Sequence, residues 1–174
     1  MPLVVALVGL AAVAAAVIAL VLTARHEGPP PAAGGGSVTL RGVTAYDPDG
    51  TGPPGENNSA APLATDGKQT TYWSTEIYSS PAFGNLKPGV GLVLDAGGAV
   101  KLGSITVTTD TPGYTAMIMA GDSSAGPFSD DSSSQTVGAS TTFQLNGATA
   151  RYYVVWITHL PPGDAAHVNE ATAG

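Results

Sequence analysis

From Leu3 to Ala24 the chain is an uncharged run of Ala, Val, Leu and Ile, interrupted only by Gly9 and Thr23. Roughly 22 residues at ~1.5 Å each reach about 33 Å as a helix, enough to cross a hydrocarbon core. A cleavable signal peptide fits less well. No basic residue precedes the run, it exceeds the usual hydrophobic stretch, and Thr23-Ala24-Arg25-His26-Glu27 is a poor cleavage site. The pattern predicts a retained transmembrane anchor over residues 1–26. Residues 27–36, EGPPPAAGGG, cannot pack: the proline half is an extended spacer and the glycine half is flexible. A folded domain over residues 37–174 should follow.

In that domain no ten-residue window keeps a 3.6-residue period, and short apolar runs alternate with turn residues. Residues 37–46 (SVTLRGVTAY) form a β-branched run that ends at Asp47-Pro48-Asp49-Gly50. Residues 91–95 (GLVLD) close on Ala96-Gly97-Gly98. Over 101–109, Ile105 and Val107 face one way, Thr106 and Thr108 the other. A strand over 114–120 follows Thr111-Pro112-Gly113, with Met117 and Met119 on one face as core filler. Residues 141–145 run into Asn146-Gly147, a hairpin signal. Residues 151–158 (RYYVVWIT) are apolar on both faces, as a central strand requires, and 166–173 form the last strand. About seven or eight short strands predict an all-β antiparallel sandwich. The irregular stretch over 47–88 is long for a loop, and long ordered loops tend to carry function.

Composition removes several classes. Six Lys and Arg against thirteen Asp and Glu give a net charge of −7, which repels phosphate backbones and argues against nucleic acid as a partner. The absence of Cys excludes disulfides, thiolate metal sites and a cysteine nucleophile.

Three stretches carry candidate chemistry. Asp47-Pro48-Asp49-Gly50-Thr51-Gly52, with Glu56 beyond, alternates oxygen donors as calcium loops do, but the twelfth position is Asn58 and no helices flank it, which excludes an EF-hand. The plain reading is a polar turn leaving the first strand. Gly121-Asp122-Ser123-Ser124-Ala125-Gly126-Pro127 echoes a serine-protease nucleophile loop, yet the only upstream histidine is His26, so a hairpin loop is expected. His159 and His167 have no partner spacing that would define a zinc site or a triad. In residues 64–75 (ATDGKQTTYWST), the Asp66 carboxylate, the Thr71 hydroxyl and nearby carbonyls can converge on a hard cation, while Trp73 plugs the end of the core.

That last stretch resembles the Ala-x-Asp-Gly-x-x-x-Thr-x-Trp signature of discoidin-like domains, also called coagulation factor five/eight type C or galactose-binding-like domains. Residues 45–67 (AYDPDGTGPPGENNSAAPLATDG), 73–95 (WSTEIYSSPAFGNLKPGVGLVLD) and 151–162 (RYYVVWITHLPP) look like one actinobacterial form. It occurs as the extracytoplasmic C-terminal module of MviN/MurJ-type lipid II flippases and of related membrane-anchored kinases, after a single transmembrane helix and a Pro/Gly-rich linker. The resemblance implies a jelly-roll β-sandwich outside the membrane. Arg25 alone would keep the C-terminal side in the cytoplasm by the positive-inside rule, but the resemblance outweighs one charge.

The resemblance also implies a structural calcium held by Asp66, Thr71 and Glu170, with carbonyls around Ala64 and Lys68. Lys68 and Gln69 depart from the commonest form, and the Lys68 charge beside the ion works against it; without calcium the same residues make a hydrogen-bonded turn. Sugar-binding members stack loop aromatics on pyranose rings, and the loop-proximal aromatics here are Tyr46, Tyr78 and Tyr114, with Glu56, Glu76 and Lys87 as polar partners. The alternative for each Tyr is packing at the core or rim with its hydroxyl satisfied. Trp73 and Trp156 are expected in the core. The expectation is a single-pass membrane protein whose extracytoplasmic domain binds a cell-envelope carbohydrate or peptidoglycan-related ligand, without catalysis. The alternative is a structural module that positions an envelope protein such as a flippase or kinase.

Overall fold

The computed structural model describes residues 38–50 and 55–174. The anchor expected over residues 1–26 and the linker over 27–36 lie outside the described residues. Among the described residues no helix is long and apolar enough to cross a membrane.

The β-branched and alternating runs become strands where the pattern places them. They are β1 (Arg41–Tyr46), β2 (Trp73–Ser74), β3 (Val90–Lys101), β4 (Ser104–Thr108), β5 (Thr115–Gly121), β6 (Ser129–Asp130), β7 (Gln135–Thr136), β8 (Ser140–Gln144), β9 (Thr149–His159), β10 (His167–Val168) and β11 (Glu170–Ala173). A six-stranded antiparallel sheet runs β1-β3-β9-β5-β6, with β7 also on β5. A three-stranded sheet runs β11-β4-β8, and β10 pairs β2 alone. The two larger sheets share one core. Ile105, Val107 and Phe143 of the smaller sheet join Leu92, Leu94, Ile118, Tyr153, Val155 and Ile157 of the larger.

β9, apolar on both faces, is indeed central, between β3 and β5. Ile105 and Val107 are buried while their Thr neighbours stay half-exposed. The hairpin expected at Asn146-Gly147 does not form, because β8 pairs β4 and β9 pairs β3 and β5. That turn instead carries the chain from one sheet to the other. It is held there by Leu145 N–H on the Gly103 carbonyl, Asn146 N–H on the Asp131 carbonyl and Ala148 N–H on the Asp131 carboxylate.

Two core assignments need correction. Met117 and Met119 are half-exposed, and the residues of β5 that face the core are Ala116, Ile118 and Ala120. Trp156 likewise lies on the far face of the larger sheet, opposite Gly91 and Met117. That face has a small apolar layer of its own. Tyr46 packs edge-on to Phe128 at 4.8 Å and tilted against Trp156 at 5.6 Å. Val93 and Val154, which alternate away from the main core, are fully buried beneath this layer. The Gly121–Pro127 segment is the expected hairpin loop, joining β5 to β6, and it folds back so that Phe128 lies over Gly121.

The antiparallel registers put the loops over 47–89, 109–114 and 160–166 at one end of the sandwich: Tyr46 pairs Gly91, Val90 pairs Ile157, and Thr115 pairs His159. The described part of this 47–89 stretch from residue 55 onward is built around a 3-10 segment, Asn58–Thr65, which docks on β1. Gly42 permits that docking, since a Cβ there would stand 1.9 Å from the Ala61 carbonyl oxygen.

Candidate functional site at the loop end

The long loop turns inward at Glu56 and Asn57, two consecutive residues with left-handed φ of 60° and 53°. This conformation is costly for Glu and tolerated by Asn. It aims the Glu56 side chain into the protein, where it is 1% exposed, and its carbonyl accepts the indole N–H of the buried Trp73 at 2.7 Å. The Glu56 carboxylate then accepts hydrogen bonds from the Tyr78 hydroxyl, from the Glu76 amide at 2.9 Å and from Lys87 Nζ at 3.3 Å. Lys87 Nζ also reaches Asp47 Oδ2 at 2.6 Å and lies 5.3 Å from the Tyr78 ring centroid.

Burial, reinforced by the Glu56 carboxylate, pushes the Tyr78 phenol up to about 12. For Lys87, burial opposes the charge, but Asp47, Tyr78 and Glu56 together hold the ammonium above its usual value. Glu56, Tyr78 and Lys87 are thus brought together, and Asp47 completes the cluster. Most of its polar atoms bond one another, Asp47 Oδ1 being buried without a partner among the described residues, and its chemistry is that of a clamp holding the loop to the sandwich. A cleft of about 70 Å³ beside it, lined by Tyr78, Ser80, Leu160 and Asp164, has room for a few waters rather than a pyranose.

The other sequence candidates fall elsewhere. Glu76 is exposed and contributes its main chain to the cluster. Tyr46 belongs to the apolar layer on the sheet face. Tyr114 is fully buried, with its hydroxyl on the His167 carbonyl at 3.0 Å, so its ring is not open to a ligand. Residue 114 immediately precedes β5, and its parity with the inward-facing Ala116, Ile118 and Ala120 sends its side chain to the core. A larger depression of about 390 Å³ lies at the opposite end, lined by Gly121, Asp122, Ser123, Gly126 and Thr149, and contains none of the candidate residues.

Asp66, Thr71 and Glu170 do converge, although Glu170 is about a hundred residues away along the chain. The Lys68 amide donates to Asp66 Oδ1 at 3.0 Å and to Glu170 Oε1 at 2.8 Å, and the Thr71 hydroxyl bonds Asp66 at 2.9 Å. Burial works against the Asp66 charge, but the Thr71 hydroxyl and the Lys68 amide and ammonium hold its carboxyl below the ordinary range. Among the described residues no three Asp, Glu or His converge on one point. Two carboxylates and a hydroxyl are oxygen donors of the kind calcium takes, although the Lys68 amide already bonds both carboxylates and the Lys68 carbonyl accepts the Thr71 hydroxyl at 3.1 Å. The opposing charge, Lys68 Nζ at 3.6 Å from Asp66 Oδ2, sits on a side chain 67% exposed and free to swing away.

One group was not legible in the sequence. Tyr72 and His167 stack face to face, centroids 3.8 Å apart and planes within 8°. His167 Nδ1 meets Asp110 Oδ1 at 2.8 Å. Tyr72 and Asp110 come from loops and His167 from β10, and β10 pairing on β2, with His167 opposite Ser74, brings them together. Only the Tyr beside Trp73 could have been singled out from local sequence; its partners are distant in the chain.

The fold and its loop end define a class: an antiparallel β-sandwich whose solved-structure neighbours are carbohydrate-binding modules, in keeping with a discoidin-like fold. Among these, chitosan-binding module 1 of a chitosanase/glucanase from Paenibacillus sp. IK-5 aligns with a TM-score of 0.55 at 16% identity, over 79% of this chain and 98% of that one. The C-terminal domain of a chitobiase from Bacteroides fragilis gives 0.54 at 15%, over 79% and 94%. CpGH89CBM32-5 from Clostridium perfringens, solved with GalNAc-β-1,3-galactose, gives 0.53 at 14%, over 79% and 98%. Some matches are to much longer chains; this chain spans 22% of a Ruminococcus gnavus GH29 fucosidase. No family model matches the sequence.

Proposed function

We propose that this chain is a non-catalytic carbohydrate-binding module, tethered by residues 1–26 with its sandwich outside the membrane, that recognises a cell-envelope glycan related to peptidoglycan. The carrying observation is that the sandwich matches a chitosan-binding module derived from a chitosanase/glucanase over 98% of that module's length. The resemblance of residues 45–67, 73–95 and 151–162 to the C-terminal module of MviN/MurJ-type flippases and anchored kinases supports the envelope setting. The test is co-sedimentation of the full chain with purified cell-wall sacculi in a sugar-free detergent. Saturable binding, competed by soluble muropeptides, is the expected result; no binding would count against the proposal.

A second reading, a protein-interaction module, draws on one observation. Ile77 and Leu86 are 75% and 76% exposed beside the Glu56 clamp, an unusual placement for large aliphatic side chains. Crosslinking from position 77 or 86 to an envelope protein would favour it. Calcium belongs to the same proposal: Asp66, Thr71 and Glu170 would hold it with the carbonyls of Ala64 and Lys68, and the ion would brace the turn that carries Tyr72.

A further inference from the structure

We infer that the sugar contacts of this module lie at Tyr72, Asp110 and His167, and that the ligand is a neutral pyranose; the inference rests on the carbohydrate-binding reading above. Three observations carry it.

The first is the open aromatic face. Tyr72 is 38% exposed although one face of its ring is covered by His167. That exposure remains after His167 has taken one face of the ring. A rigid ring with one face backed and the other open is a platform for the apolar face of a pyranose, at little entropic cost. The aromatics suggested by the sequence lack this: Tyr114 is buried and Tyr78 is engaged with Glu56 and Phe83.

The second is preorganisation. His167 is held at every polar atom but one. Its main-chain N–H donates to the Thr111 hydroxyl at 2.8 Å, its carbonyl accepts the Tyr114 hydroxyl at 3.0 Å, and Nδ1 is on Asp110. Nε2 is left over. Asp110 and the Tyr72 loop are locked by one buried side chain, Asn169, 2% exposed. Its Oδ1 accepts the Asp110 amide at 3.1 Å and its Nδ2 donates to the Gln69 carbonyl at 2.8 Å. The Thr108 hydroxyl secures the Gln69 side chain at 2.8 Å. Two loops and strand β10, distant in sequence, are fixed to one another around a surface patch, which lowers the ordering cost of binding.

The third is charge. The Asp110 side chain is 56% exposed and its second oxygen, Oδ2, has no partner among the described residues. A carboxylate oxygen beside a ring nitrogen is matched to adjacent sugar hydroxyls, which donate to the first and pair with the second. The carboxylate, in a chain of net charge −7, repels sialic acids, uronic acids and phosphorylated sugars. The patch thus takes an uncharged hexose or N-acetylhexosamine unit, stacked on Tyr72 and bonded at Asp110 and His167.

The test uses the full chain in a sugar-free detergent and saturation-transfer NMR with lactose, cellotetraose, N-acetylchitotriose and 3′-sialyllactose. The wild type should bind at least one neutral oligosaccharide and bind it more tightly than sialyllactose. Tyr72→Ala should weaken that binding about tenfold, Tyr72→Phe should leave it within about twofold because the ring remains, and Asp110→Asn should weaken it severalfold. Unchanged fluorescence of buried Trp73 shows that each variant is folded. If the wild type binds a neutral sugar and Tyr72→Ala and Asp110→Asn bind it equally well, this site is overturned while the carbohydrate reading stands. If sialyllactose binds as tightly as lactose, the neutral-ligand assignment falls. If the wild type binds none of the panel, this site is overturned as a neutral-sugar site, and the carbohydrate reading is decided by the sacculus assay.

Discussion

The clamp at the loop end invites a direct perturbation: Lys87→Met, which keeps the stem and removes the charge. Lys87 Nζ lies 2.6 Å from Asp47 and 3.3 Å from Glu56, its side chain is 10% exposed, and Glu56 is 1% exposed. Removing one member of a buried ion pair strands the other charge and costs about 3–5 kcal/mol. Glu56 would keep the Glu76 amide and the Tyr78 hydroxyl, and Asp47 is 19% exposed to solvent, which places the loss near the lower end, about 3 kcal/mol. For a domain of this size that is a fall in Tm of roughly 10 °C. The assay is urea unfolding followed by the fluorescence of Trp73, whose indole bonds the Glu56 carbonyl and so reports on the clamp itself. Adding Glu56→Gln removes the stranded charge and should recover part of the loss, a non-additivity of ~1 kcal/mol or more. A loss below ~1 kcal/mol, or strict additivity of the two changes, would refute the view that this cluster is a desolvated clamp.

Three further outcomes are expected. Gly42→Ala should cost about 3 kcal/mol and lower the urea midpoint, because its Cβ would meet the Ala61 carbonyl at 1.9 Å and neither backbone can yield freely. Calcium should raise the Tm of the wild type, by about 2.7 kcal/mol of stabilisation at a hundred times its Kd, and should do nothing for Glu170→Gln; calorimetry with and without chelator decides it. Tyr78, raised to about 12, and Tyr114 and Tyr153, raised chiefly by burial, have folded values above the ordinary 10. Their contribution is full below pH 10 and is lost as pH climbs through the folded values, so phenolate absorbance should show these rings ionising only as the protein unfolds in alkali.

Much of the strand layout was determined by the sequence alone. Period-two alternation around Ile105 and Val107 and the unbroken apolar run of β9 are local patterns, and burial of one or both faces follows from them directly. The Asp66–Trp73 turn was legible in part, since its Asp66–Lys68 and Asp66–Thr71 bonds span only a few residues and Trp73 is its apolar plug, whereas its bonds to Glu170 and Asn169 depend on the tertiary structure. Pairing was another matter. Asn146-Gly147 reads as a hairpin turn by chemistry, yet the strands it joins entered different sheets, because partner choice depends on how the two sheets share a core. Trp156 and Met117 alternate correctly but were assigned to the wrong side, since β9 is apolar on both faces and only the second apolar layer under Tyr46 and Phe128 distinguishes them. The loop end shows the division most plainly. Glu56, Tyr78 and Lys87 stood out as polar and aromatic residues in one long loop, but that their charges would be spent on each other depended on left-handed turns at Glu56 and Asn57. Tyr72, Asp110 and His167 had no shared signal, being far apart along the chain. A binding patch of that kind exists only once strand pairing closes the distance, and a buried Asn169 then holds its pieces in place.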